Sequence, residues 1–339
     1  LAVSSATDAM QVALAAMGIG PGDEVIVPTL TFCSTIHVIE HVGARPVLVD
    51  VEPLTLTIDP EKILKAITPK TKAIMPVHIY GHPCLMDQIV DIAERYGLII
   101  IEDAAHALPA YHNGRLIGSP INKDNVRWAT CFSFYATKNM TTAEGGMITG
   151  EKDFIENARI WSLHGMSRDA WKRYSLGGSW YYEVILPGFK CNMTDIQASL
   201  GIHQLKKLSK FQEKRRYIVK RYNEAFSSIP EIQIPTERPG MQSAWHIYAI
   251  RLNLDMLRIN RDQFIEELTK RNIGVSVHFI PNHMQPYYRD KYCYKPQDFP
   301  IAYNEYFRLI SLPIYPRMND KDIDDVIEAV IDVLNKFRK

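Results

Sequence analysis

Long apolar runs are missing from the 339-residue chain: none approaches the ~20 residues that a membrane-spanning helix needs. Neither sign of charge is in excess, because 39 lysines and arginines face 38 aspartates and glutamates. A net charge of +1 creates no field to draw nucleic acid or an anionic membrane, so neither is expected as a partner. Cysteine is scarce and scattered. Cys33, Cys84, Cys131, Cys191 and Cys293 form no CxxC pair, which argues against a zinc site or a disulfide framework and suits reduced thiols in a cytoplasm. No repeat or low-complexity tract is found. The opening 17 residues are small and apolar, but no basic stretch precedes them and Asp8 interrupts them, which disfavours a signal peptide. The chain starts on Leu1 inside a pattern of ordered structure, so an upstream segment is expected before this numbering.

What is present is an alternation of short β-rich runs and helical patterns. Strands are expected at 24–27, 46–49, 73–77, 98–101, 128–132 and 146–149, with helices such as 8–17 and 86–96 between them. Runs that are apolar on both faces and separated by helices imply a mostly parallel sheet covered on both sides. From residue 195 one long helical pattern runs to 222, through a basic stretch at 206–221 that suits a solvated face. Beyond Pro230, strands at 246–252 and 274–279 and helices at 261–271 and 320–337 indicate a smaller α+β unit. The expected division is a large α/β domain over 1–205 and a small domain over 206–339.

Ligands of open α/β sheets gather at the carboxyl ends of strands. One strand here ends in Glu102-Asp103 and continues to His106. Another ends near Ser133 and leads within a few residues to Lys138 and the turn at Gly145-Gly146. Together they meet the needs of pyridoxal 5′-phosphate (PLP): an amine for its aldehyde, a carboxylate for its pyridine nitrogen, a phosphate cradle and an aromatic face. Lys138 can be the amine and Asp103 the carboxylate. Ser4-Ser-Ala-Thr-Asp8 leads into a helix N-terminus, where free amides favour a phosphate, and Ser133 can add a hydroxyl. Phe32 is the candidate stacking ring. Taken singly, each of these has a plainer explanation, as a surface lysine, a helix cap, a core ring or a structural histidine. Their order at the strand ends of one sheet raises the case.

At this point the chain resembles the DegT/DnrJ/EryC1/StrS sugar aminotransferases. The resemblance lies in Ser5-Ala-Thr-Asp-Ala-Met10, Gly22-Asp-Glu-Val-Ile-Val-Pro28, Thr71-Lys-Ala-Ile-Met-Pro-Val-His78, Glu102-Asp-Ala-Ala-His106, Phe132-Ser-Phe-Tyr-Ala-Thr-Lys-Asn139 and Glu144-Gly-Gly146. The Glu-Asp-Ala-Ala-His form is most like the UDP-4-amino-4-deoxy-L-arabinose–oxoglutarate aminotransferases. The resemblance implies an α/β chain of PLP fold type I (aspartate-aminotransferase-like) and an imine at Lys138. It also implies pyridine pairing at Asp103, stacking at Phe32, and phosphate contacts from Thr7, the Asp8 amide and Ser133. His106 stands where many relatives carry Gln against the cofactor's phenolic oxygen, and its charge state would affect the basicity of the imine. A homodimer with shared sites is implied too. In Gly188-Phe-Lys-Cys-Asn192, Lys190, or as second choice Asn192, takes the place of the residue that reaches the other subunit's phosphate.

The reaction that follows is transamination of a nucleotide-linked keto-sugar, first of all a UDP-4-keto-sugar, with glutamate as donor and 2-oxoglutarate as its product. The stretches 163–168 and 274–288, with His278 and His283, are expected as walls for the sugar nucleotide. Two rival readings stand beside this one. A PLP-dependent sugar dehydratase replaces the lysine by histidine, which Lys138 opposes. A non-catalytic binding protein on the same fold would have no need of Asp103, Lys138 and Ser133 together.

Overall fold

A computed structural model of the chain describes residues 1–121, 123, 125–167 and 181–339. Strand β1 (Ala2–Val3) and helix α1 (Ala6–Ala16) open the chain. Alternation follows through β2 (Glu24–Pro28), α2 (Ser34–His41), β3 (Arg45–Val49), α3 (Pro60–Ala66), β4 (Thr71–Ile74), α4 (Met86–Tyr96) and β5 (Ile99–Asp103). A small hairpin, β6 (Tyr111–His112) with β7 (Arg115–Leu116), precedes β8 (Trp128–Ser133), β9 (Gly146–Gly150) and α5 (Lys152–Ser162). Seven of these strands form one sheet in the order β1-β9-β8-β5-β4-β2-β3, with β3, β2, β4, β5 and β8 parallel and β9 antiparallel.

The expected doubly covered sheet is seen in how β2 distributes its side chains. All five of its residues are buried. Val25 and Val27 enter the core that also holds Met10 and Leu14 of α1, whereas Ile26 enters the core formed with Ile63 of α3 and Ile89 of α4. The alternation is the pleat itself, applied to a strand with a helix on either side. Helix α4 ends where Gly97 takes φ 64°, a left-handed cap that glycine adopts without strain.

The remaining chain carries α6 (Asp195–Leu205), α7 (Leu208–Phe226), β10 (Ile232–Gln233), β11 (Met241–Gln242), β12 (Tyr248–Leu252), α8 (Arg261–Lys270), α9 (Pro286–Tyr292), α10 (Pro300–Tyr306), β13 (Leu309–Leu312) and α11 (Asp320–Phe337). Strands β10, β12 and β13 form a second, antiparallel sheet, and α7, α8 and α11 share a separate core with it, around Phe226, Tyr248, Phe264 and Val330. Strand β11 instead pairs with β6, and Tyr288, Phe299 and Ala302 return to the first core.

Two expected elements differ. The helical pattern over 195–222 is two helices, because the chain turns at Lys206–Lys207. Helix α6 buries none of its residues within this chain, whereas α7 lays Ile218, Tyr222 and Phe226 on the second core and Leu208 on a separate cluster with Phe134 and Met140. The segment 274–279 is not a strand. It makes one bridge, Ser276 to Ser311 on the edge of β13, and its apolar side chains part company: Val275 packs on the second core, Val277 and Phe279 on the first.

Candidate active site

The carboxyl ends of β5 and β8 and the N-terminus of α1 open into one cavity of about 450 Å³. Lys138 reaches it from the loop between β8 and β9. Burial pushes the amine down to about 8, with the Asp103 charge pulling the other way. Asp103 ends β5, and its carboxylate is oriented on both oxygens. The Ala105 amide donates to Oδ1 at 3.0 Å and the Thr35 hydroxyl to Oδ2 at 2.7 Å.

Ser5 caps α1, accepting the Asp8 amide on its hydroxyl oxygen at 3.0 Å. The Ser4 and Ser5 hydroxyls in turn donate to Asp8 Oδ2 at 2.5 and 2.8 Å. Asp8 is therefore occupied in building the loop, and neither its amide nor its carboxylate lines the cavity, contrary to the expected phosphate contact. Ser5, Ala6 and Thr7 do line it. The amides of Ala6 and Thr7, in the first turn where a helix has no carbonyl to offer, have no protein partner among the described residues. Glycine is required beside them. A Cβ on Gly146 would lie 2.4 Å from the Ser5 carbonyl oxygen, so only the bare backbone lets β9 come this close.

Phe32, more than half exposed, stands at the cavity wall with its ring 5.7 Å from that of Phe279. Ser133 lines the cavity too, its Oγ accepting the Tyr135 amide at 3.3 Å. The His106 ring is buried, and its Nδ1 accepts the Tyr80 amide at 3.3 Å. That nitrogen therefore carries no proton, and Nε2 is the donor. Burial first, and then the charges of Lys138 and His278, hold His106 well below the ordinary histidine range. His278 lines the same cavity, its Nδ1 2.8 Å from the Ser311 hydroxyl.

Other expected residues lie elsewhere. His283 is buried behind the wall, with Nδ1 2.8 Å from the Thr29 hydroxyl and its ring stacked 4.7 Å from Phe299; it packs and does not line the cavity. Lys190 and Asn192 are bonded to each other outside the cavity. Of the stretch 163–168, Arg168 lies outside the described residues and the rest does not line the cavity. Phe279, within the expected stretch 274–288, lines the cavity as well, whereas Thr35 and His246 are not marked by the sequence. Thr35 sits on a helix that only the fold brings under Asp103. His246, at the mouth of a strand pattern, gave no motif to single it out.

These residues suit PLP: a partly desolvated amine, a fixed carboxylate, two free amides at a helix start with a glycine beside them, and an exposed ring. The fold and the cavity together define a PLP-dependent aminotransferase of fold type I. The chain belongs to the DegT/DnrJ/EryC1/StrS aminotransferase family, whose model matches residues 1–331. It is 50% identical over 336 residues to the spore coat polysaccharide biosynthesis protein SpsC of Bacillus subtilis, covering 98% of this chain and 85% of that one. Spr1654 from Streptococcus pneumoniae, assigned as a sugar aminotransferase, is similar in its PMP form with a TM-score of 0.91 and 34% identity, over 99% of this chain and 88% of its own. It has also been solved in a PLP form. DesV of S. venezuelae, in complex with a ketimine intermediate, matches with a TM-score of 0.88 and 32% identity, over 98% and 84%.

Proposed function

We propose that the chain moves an amino group from glutamate to the keto group of a nucleotide-linked sugar, first of all a UDP-4-keto-sugar. The observation that carries this is the convergence of Lys138, Asp103 and the free amides of α1 on one cavity. PLP, when bound, supplies the aldehyde that takes up the amino group and the ring that accepts electrons. Lys138 is the residue that would hold it, and its Nζ, a minority of it deprotonated at pH 7 and more as pH rises, would take the proton from the donor's Cα and pass it to the cofactor's C4′. Asp103 holds a proton on the pyridine nitrogen. The amides of Ala6 and Thr7, with the Thr7 and Ser133 hydroxyls, bind the phosphate. Phe32 covers one face of the ring, and the His106 Nε2–H donates to the phenolic oxygen. His278 faces the sugar.

The same proposal includes a homodimer in a cytoplasm with shared sites, in which Lys190, or else Asn192, reaches the other subunit's phosphate. Its support is α6. Ile196 is 78% exposed, and Leu200, Ile202 and Leu205 are exposed with it, apolar side chains on more than one side of the helix that a lone chain leaves in water directly after the loop that carries Lys190 and Asn192. A division into domains at 1–205 and 206–339 belongs to the proposal as well, supported by the separate core of the second sheet.

The test is to incubate the PLP-loaded protein with glutamate and then with a panel of nucleotide keto-sugars. Formation of 2-oxoglutarate in the first stage, and amination of one or more keto-sugars in the second, is expected. Release of 2-oxoglutarate with no keto-sugar aminated would overturn the acceptor, and no release from glutamate would overturn the donor.

A further inference from the structure

Tyr80 and Trp245 are non-glycine residues at positive φ, 62° and 46°, a region that L side chains adopt only under constraint. They lie against one another: the Tyr80 carbonyl accepts the amides of His246 and Ile247 at 3.0 and 3.2 Å. Residues 243–246 are held in addition by side chains that reach their carbonyls. Gln212 donates to Ser243 O at 2.9 Å and Asn139 to Ala244 O at 2.8 Å. The buried Arg215 of α7 donates to Trp245 O and His246 O at 2.9 and 3.2 Å, and it has no carboxylate among its described partners. Strain and a buried charge spent on four residues point to something that they position.

What they position is a pair of imidazoles. The ring centroid of His246 lies 4.4 Å from that of His106, and both line the cavity. Different neighbours fix their protons. Tyr80 donates to His106 Nδ1, so His106 is neutral with its proton on Nε2. Asn139 spends its N–H on Ala244, so its Oδ1 faces His246 Nδ1 at 3.0 Å as an acceptor, and His246 carries its proton on Nδ1. Neither Nε2 has a protein partner among the described residues. The charged and titratable groups that face the pair are Lys138, His278 and, behind His246, Arg215; all are cationic when charged and oppose a second proton on either ring.

We propose that His246 is a positioning residue of this site. It acts through its bond to Asn139, while its ring lies tilted against His106, whose own Nε2–H the Tyr80 amide fixes. Asn139 follows Lys138 in the chain, so the same bond pins the loop that carries the amine. The proposal rests on reading the cavity as the PLP site, but the tautomers can be tested without cofactor.

Apoprotein labelled with ¹⁵N-histidine gives the tautomers directly by long-range NMR. The expected result is His106 protonated on Nε2 and His246 on Nδ1. His246→Phe keeps a ring beside His106 and loses the bond; Asn139→Leu removes the acceptor and leaves His246, and carries the test if the first variant does not fold. In either variant His106 should keep its Nε2–H, which the Tyr80 amide fixes, while the loop that carries Lys138 loosens and uptake of PLP slows by on the order of tenfold. The visible spectrum of the PLP-loaded variants should shift its pH midpoint too. An Nε2–H tautomer for wild-type His246, or variants that leave both the uptake rate and the midpoint unchanged, would overturn the proposal. The expected tautomers in a protein that never takes up PLP would instead remove the cofactor reading and leave the histidine pair standing.

Discussion

At the scale of single residues, the proposed chemistry turns on an amine that is neither fully buried nor free. An exposed lysine titrates near 10.4 and is almost wholly protonated at pH 7. Burial lowers Lys138 to about 8, against the pull of Asp103, so an appreciable fraction is free base near neutrality. The sign follows directly: deprotonation makes the nucleophile, so uptake of PLP by apoprotein should quicken as pH rises and level off above about 8. Stopped-flow absorbance over that range checks it, and a rate still climbing steeply between about 9 and about 10 would show an ordinary lysine. Lys138, Asp103 and Ser133 were legible in the sequence because strand ends announce themselves, by an apolar run stopping at a polar residue. Thr35 and His246 were not, since each acts through a partner far away in sequence, 68 and 107 residues off. His283 misled because a polar residue in a polar loop carries no sign of burial; its packing on Phe299 is purely tertiary.

Among the elements, the junction of β9 with α1 matters most for the cofactor. The helix start must face the cavity with amides to spare, and this depends on Gly146 passing beside Ser5. Gly146→Ala puts a methyl group into backbone, not into a side chain that can turn away, so it should cost about 1–3 kcal/mol and weaken PLP binding along with stability. Gly20→Ala, where the nearest atom to an added Cβ is 3.6 Å away, is the control and should change stability by no more than about 0.5 kcal/mol. Thermal unfolding with and without PLP separates the two. Equal behaviour of both variants would mean that β9 can move away from α1 without loss. The parallel strands were readable because both of their faces are apolar. The two-residue strands β6, β7 and β11 were not, because a period of two needs more than two residues to show itself. The segment 274–279 shows the converse: its alternation is real, but it spans two cores instead of two faces of a sheet.

For the molecule as a whole, helix α6 is the feature that a single chain does not explain. It has a capping box at Thr194 and Gln197 and no buried residue, so its start is specified while its apolar side chains stay uncovered. The proposed dimer seats a second copy there, with each Lys190–Asn192 loop serving the other chain's cavity. Mixing Lys138→Ala with Lys190→Ala, or with Asn192→Ala, tests the sharing of sites once folding and subunit exchange have been verified. Random exchange between equal amounts should restore roughly a quarter of wild-type activity, because half the dimers are then hybrids with one of two sites intact. No recovery with either partner variant would mean that each chain completes its own phosphate site.

Everything proposed for the site depends on PLP being held by Lys138 in the cavity between β5, β8 and α1. Reduction of the PLP-loaded protein with borohydride, followed by peptide mapping, tests it most directly. The cofactor should be recovered on the peptide that contains Lys138, and Lys138→Ala should bind it only reversibly. Recovery on any other lysine, or a protein that takes up no PLP at all, would contradict the account.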